Sequence, residues 1–110
     1  MVSVGIDIVE NQRIKRLMTD SFVDKFLSEE ERADFEKIST EDRKVEFLAG
    51  RIAAKEAVLK CLKIGNICSM NRITIKDDSV GAPYVVYDGL EIQISISHEK
   101  LFSVAVALQL

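Results

Sequence analysis

Arg43-Lys44-Val45-Glu46-Phe47-Leu48-Ala49-Gly50-Arg51-Ile52-Ala53-Ala54-Lys55-Glu56-Ala57-Val58-Leu59-Lys60 is the stretch on which the rest of the chain is read. Val45, Leu48, Ile52 and Leu59, continued by Leu62, fall on one face at helical spacing, with charged side chains between them. The spacing predicts one long amphipathic helix running to about Lys63. Thr40-Glu41-Asp42 supplies its start, a capping hydroxyl followed by acids at the positive end of the helix dipole. Gly50 costs such a helix about 1 kcal/mol relative to alanine, and a glycine there usually marks close approach by another element.

Upstream, Val2, Val4, Ile6 and Ile8 alternate with Ser3, Gly5 and Asp7, the period of a half-buried strand. On this reading the valines and isoleucines form the buried face and Asp7 points away from it. From about Glu10 the pattern turns helical, with Ile14 and Leu17 among Arg13, Lys15 and Arg16, followed by the apolar group Phe22, Val23, Phe26 and Leu27. Ser28-Glu29-Glu30-Glu31 is a capping box that starts a short helix to about Ile38.

Downstream of Gly65 the period becomes two. Ile73 and Ile75 flank Thr74; a loop over Asp77-Asp78-Ser79-Val80-Gly81 leads into Tyr84-Val85-Val86-Tyr87. Asp88-Gly89 is a hairpin signal, because both residues tolerate positive φ. Leu90, Ile92, Ile94 and Ile96 alternate with polar residues, and Phe102, Val104, Val106, Leu108 and Leu110 form a fifth strand after a break at His98-Glu99-Lys100. Ala105 and Ala107, opposite that apolar face, suggest a second tightly packed surface between subunits. The order β-α-α-α-β-β-β-β predicts an α+β domain with three helices packed on a largely antiparallel sheet.

A chain of 110 residues is one domain, long enough to fold around its own core. Its 47% hydrophobic and 30% charged residues describe an ordinary globular protein. A net charge of −3 gives no global reason to expect nucleic acid or a membrane surface, so an anion site must be a local cluster. The only cysteines are Cys61, read as a buried thiol within the long helix, and Cys68; with a single histidine no Cys/His zinc constellation can form. No basic stretch with an apolar signal core opens the chain, and no run approaches the roughly 18 apolar residues of a membrane span. The expected location is the cytoplasm.

Taken singly, the chemical residues say little. An acid such as Asp7 on the outer side of a strand is ordinarily just solvated. Glu56 and Lys60 form an i,i+4 pair that accounts for itself as a surface ion pair of about 0.2–0.5 kcal/mol. His98 alone reads as a hydrogen-bonded residue at a strand end, and Gly81-Ala82-Pro83 as a loop with a rigid strand entry. In conjunction, Asp7, the long helix and Ser97-His98 make a candidate metal and polyphosphate site.

Gly5-Ile6-Asp7-Ile8-Val9-Glu10, Phe47-Leu48-Ala49-Gly50-Arg51 leading into Ala53-Ala54-Lys55-Glu56-Ala57 with Lys60, Gly81-Ala82-Pro83-Tyr84 and Ser95-Ile96-Ser97-His98 occur in that order. With them the chain resembles the holo-acyl-carrier-protein synthase family of 4′-phosphopantetheinyl transferases over nearly its whole length. The resemblance implies that fold for residues 1–110 and a reaction: transfer of phosphopantetheine from coenzyme A to a serine of an apo acyl carrier protein, releasing adenosine 3′,5′-bisphosphate.

It further implies that Asp7 and Glu56 are magnesium ligands, a hard-oxygen pair suited to Mg²⁺ with substrate phosphates completing its shell. Glu56 and Lys60 would be the catalytic residues, with Lys60 near the reacting phosphate as acid or simply as cation; either Glu56 or a water on the metal would be the general base. Arg43, Arg51, Lys60, Gly81, Pro83, Ser97 and His98 would bind coenzyme A. Carrier proteins of this class are acidic, so Arg13, Ile14, Arg16 and Leu17 are a candidate docking helix, unless Ile14 and Leu17 face the core and the cations are only solvated. The family is typically a homotrimer with active sites at subunit interfaces.

Three places depart from the family's usual pattern: Ile52 replaces a common aromatic residue, Leu62-Lys63-Ile64-Gly65-Asn66 replaces a more glycine-rich turn, and Glu99 puts an acid beside the proposed phosphate site. The rival reading is a non-catalytic carrier-protein or coenzyme A binding module of the same fold, although such a module has no need of the Asp7 and Glu56 pair. A purely structural α+β domain with a solvated helix does not explain four motifs in family order.

Overall fold

The computed structural model describes residues 2–64 and 69–110, so the turn expected at Gly65 and Cys68 lie outside the described residues. Its elements are β1 (Ser3–Glu10), α1 (Asn11–Leu17), α2 (Asp20–Phe26), α3 (Glu29–Glu36), α4 (Glu41–Leu62), a 3₁₀ turn (Met70–Arg72), β2 (Lys76–Asp77), β3 (Pro83–Tyr87), β4 (Leu90–His98) and β5 (Phe102–Gln109). The strands form one antiparallel sheet in the order β1-β5-β4-β3-β2. This is the expected α+β class.

Among the described residues there are four α-helices, where the sequence reading predicts three. The segment read as one helix from Glu10 breaks at Met18, whose ψ of 73° is not helical, and the Thr19 hydroxyl then accepts from the Phe22 amide at 3.2 Å to start α2. The other start signals form as read. Ser28 and Glu31 exchange side-chain-to-amide bonds of 3.3 and 3.0 Å, and Thr40 caps α4 by accepting from the Arg43 amide at 3.3 Å. The expected strand at Ile73 and Ile75 is a second difference. Both side chains are buried, but the ladder begins only at Lys76. Asp88 and Gly89 take positive φ in the predicted hairpin between β3 and β4.

The largest correction concerns which face of the sheet is covered. α4 lies across β1 and β5 on the side of Gly5, Asp7, Ser103, Ala105 and Ala107, and its own Ala53, Ala54 and Ala57 are completely buried there. Val4, Ile6 and Ile8 point the other way and are about 60% exposed. Ala105 and Ala107 therefore form the helix-facing core, and the second surface inferred from them is instead made by the larger apolar residues.

Gly5 is the physical reason. A Cβ built there would lie 2.0 Å from the Ala57 carbonyl oxygen and 2.6 Å from the Cys61 amide nitrogen. Only a strand of small residues lets the helix come this close. Gly50 has a milder version of the expected close approach, with a built Cβ 3.3 Å from Ile96. On its far side α4 packs Val45, Leu48, Ala49 and Ile52 against Ile14, Val23, Leu27 and Phe35 of the shorter helices and their connections.

Candidate active site

Close packing at Gly5 carries over to the chemistry two residues on. Asp7 shares the helix-facing side of β1, and the α4 turns that it meets present Glu56 and Lys60. The Lys60 Nζ donates to Asp7 Oδ1 at 3.1 Å and to the Ile6 carbonyl at 3.0 Å. Asp7 and Glu56 line one cleft of about 550 Å³, together with Arg13, Leu17, Phe22 and Phe102.

The Glu56 carboxyl is held above its usual range by burial first and by the negative charge of Asp7 second, with Lys60 pulling the other way. With Glu10 also on the wall, three carboxyl groups meet only Arg13 and Lys60, so the cleft is short of positive charge. Two carboxylates also match the donor set of Mg²⁺, which prefers hard oxygens and usually takes one or two carboxylates with phosphates and waters. Among the described residues no group of three His, Cys, Asp or Glu side chains gathers to hold a metal by itself. A cation here would need oxygens from a ligand.

The other predicted residues lie elsewhere on the chain. His98 Nδ1 is 2.9 Å from Glu46 Oε2, and Arg43 reaches Glu46 Oε1 at 3.4 Å. His98 and Glu46 line a separate hollow of about 640 Å³ with Lys15, Asp42 and Lys100. Ser97 is exposed on the uncovered side of β4. Arg51 turns inward instead, its guanidinium 4.4 Å above the Phe47 ring and its Nε 3.8 Å from Glu31. The Gly81–Pro83 loop is held by Asp78, whose Oδ1 accepts from the Val80 and Ala82 amides at 2.9 Å. It leads into β3, three strand positions from β1, or roughly 14 Å within one chain. Asp7 and this loop do not meet in a single copy.

On the candidate docking helix, Ile14 is only 4% exposed and belongs to the helical core, because its side of α1 packs on α4. That removes it as a surface anchor. Leu17 is 42% exposed, Arg13 opens onto the cleft, and Arg16 pairs at 3.8 Å with Glu10. The departures at Ile52 and Glu99 are absorbed locally. Ile52 is a core residue, and Glu99 Oε1 accepts from the Leu101 and Phe102 amides at 3.0 and 3.1 Å.

Two polar residues of consequence escaped the sequence reading. Asn11 donates to the Glu99 and Lys100 carbonyls at 2.9 and 3.3 Å and accepts from Ser103 Oγ at 2.8 Å, which fixes the turn after His98. Lys55 is fully buried and donates to Glu31 and to the Phe26 carbonyl. No local signal marked it, since a lysine in a charged helix is ordinarily solvated and Glu31 lies 24 residues away.

Residues 3–108 match the model of a family described as the 4′-phosphopantetheinyl transferase superfamily. The chain is 45% identical to a holo-[acyl-carrier-protein] synthase of Geobacillus sp. over 96% of its own length and 92% of the relative's. It is 42% identical to one of Acholeplasma laidlawii, over 94% and 91%. Its fold matches a holo-(acyl-carrier-protein) synthase of Bacillus anthracis in complex with CoA (3′,5′-ADP), with a TM-score of 0.87 and 35% identity over 97% of this chain and 94% of that one. Among the described residues no helix is long and apolar enough to cross a membrane.

Proposed function

The chain belongs to the 4′-phosphopantetheinyl transferase superfamily, and we propose that it moves the phosphopantetheine arm of coenzyme A to a serine of an apo acyl carrier protein, with adenosine 3′,5′-bisphosphate as the by-product. The observation that carries this reading is the cleft in which Asp7 and Glu56 face each other with Lys60 bonded to Asp7. Asp7 and Glu56 would hold Mg²⁺. Held there, such an ion would supply positive charge to the phosphoryl groups of coenzyme A.

Lys60, one helical turn beyond Glu56, would keep a cation at the reacting phosphate. Arg43 and His98 are exposed enough to meet the nucleotide end of coenzyme A, with Ser97, Gly81 and Pro83 beside it. Arg51 would join them only after leaving Glu31. Arg13 and Arg16, with Leu17 at the cleft beside Arg13, would receive the acidic carrier helix by charge and apolar contact.

A homotrimer with shared sites belongs to the same reading. Val4, Ile6 and Ile8 pair across the ladder with Leu108, Val106 and Val104, so the β1–β5 part of the uncovered sheet face is an apolar surface that another copy would cover. Two copies would also bring together the cleft of one and the His98 hollow of the other.

The test is incubation with apo carrier protein, coenzyme A and Mg²⁺. We expect a carrier mass gain of one phosphopantetheine, abolished by a chelator and by Glu56→Gln in a variant that remains folded. Tight coenzyme A binding without that gain would instead make the protein a binding module.

A further inference from the structure

The buried ion pair of Lys55 and Glu31 takes no part in the reaction as read above, yet it sits directly behind it. Lys55 immediately precedes Glu56 and points inward as Glu56 points into the cleft. Its Nζ donates to Glu31 Oε1, to the Phe26 carbonyl at 2.6 Å and to the Met70 carbonyl at 3.0 Å. Phe26 stands with Glu56 in the wall of the main cleft. Phe26 and Met70 stand with it again around an adjoining hollow of about 270 Å³. The two residues whose carbonyls Lys55 holds thus line, with Glu56, the hollows beside it.

Glu31 extends the grip. Its Oε1 accepts from the Ser28 amide and its Oε2 from the Ile75 amide, both at 3.0 Å. One buried pair therefore fixes the end of α2, the start of α3, the 3₁₀ turn and the approach to β2 against a single turn of α4. Stability alone is a poor account of it, since a buried ion pair often contributes no more than apolar residues of the same volume. What an ammonium and a carboxylate supply, and apolar side chains do not, is direction.

We propose that Lys55 and Glu31 are positioning residues for Glu56, setting the rotation of the α4 turn that aims its carboxylate at Asp7. The inference rests on the reading of Glu56 as a magnesium ligand.

The test compares the wild-type protein with the double variant Glu31→Gln/Lys55→Met, which removes both charges together and leaves neither one buried alone. Isothermal titration with Mg²⁺ and steady-state kinetics are both recorded. The expected result is cooperative unfolding in urea, Mg²⁺ affinity reduced at least fivefold, kcat reduced at least tenfold and KM for coenzyme A within threefold. Mg²⁺ affinity and kcat both within twofold of wild type would overturn the proposal.

Should the double variant not fold, the wild-type protein decides the matter. Coupling between two sites is reciprocal, so Mg²⁺ must slow amide hydrogen exchange at Ser28 and Ile75, the two amides that Glu31 accepts. Unchanged exchange there overturns the proposal. A wild-type protein that transfers nothing ends the transferase reading, while the Mg²⁺ titration of the two proteins still judges the positioning role.

Discussion

Lys55 and Lys60 stand five residues apart on α4, and each meets a carboxylate, in opposite surroundings. The Lys55 side chain is 0% exposed and its partner Glu31 is closed in on both oxygens by amides and cations. The Lys60 side chain is 56% exposed, and its partner Asp7 opens onto a cleft with Glu56 beside it. The Glu56 carboxyl feels burial and the charges of Asp7 and Lys60, with no hydrogen bond among the causes of its shift. The closed pair has its bonding capacity met by the protein and so serves structure. The open group has capacity left over, and that is what a ligand can use.

The difference is tested hardest by truncating the closed lysine. Lys55→Met leaves Glu31 charged and buried without its main partner, which typically costs about 3–5 kcal/mol. Against a total stability of about 5–15 kcal/mol for a domain, much of the folded margin would be lost. Urea unfolding measures it. A midpoint close to wild type would mean that Glu31 does not depend on Lys55, and the contrast between the pairs would disappear.

Gly5→Ala attacks the contact that makes the open site. Since the added methyl would fall 2.0 Å from a backbone oxygen, α4 and β1 must separate. Overpacking of this kind costs about 1–3 kcal/mol, and here it also draws Asp7 away from Glu56. We expect lower stability together with lost transfer. Full activity in a folded Gly5→Ala protein would show that the site tolerates a wider gap between strand and helix.

Much of this contrast could be read from the chain itself. α4, both capping hydroxyls and the hairpin at Asp88-Gly89 follow from periodicity and local signals, while the pairing of Asp7 with the Glu56 turn is implied only by the family resemblance. The covered face of the sheet did not. Amphipathic patterning assigns the larger apolar residues to the core, so Val4, Ile6 and Ile8 were read as inside. In the fold the smallest residues lie inside, because the helix-to-strand distance set at Gly5 leaves no room for larger side chains on the covered face. The burial of Lys55 was illegible for a related reason. A lysine in a charged helix is ordinarily solvated, and its partner Glu31 lies 24 residues away, already accounted for by its capping box.

Lys60→Met is the matching truncation of the open pair and should separate function from fold. An ion pair this exposed contributes less than about 1 kcal/mol, so urea midpoints should barely move. Transfer, by contrast, should drop roughly 10²-fold, as when one preorganised group facing developing charge is removed. A loss of stability as large as that of Lys55→Met would erase the distinction between the two lysines.

The finest test uses the proton on Glu56. Burial and Asp7 raise its folded pKa above the unfolded value of about 4.3. The folded state then binds the proton more tightly than the unfolded chain does. That contribution to stability is fully present below pH of about 4.3 and is lost as pH rises through the raised folded value. Relative to Glu56→Gln, which carries no charge at any pH, the wild type should therefore unfold slightly more easily at neutral pH and equally easily at acid pH. Urea midpoints of the two proteins at both pH values, without divalent cation, measure the gap. Mg²⁺ at neutral pH should then reverse it, since a ligand that binds only the folded state adds stability to the protein that can hold it. A gap that ignores both pH and Mg²⁺ would remove the charge repulsion between Asp7 and Glu56, and with it the reason for a cation to enter the cleft.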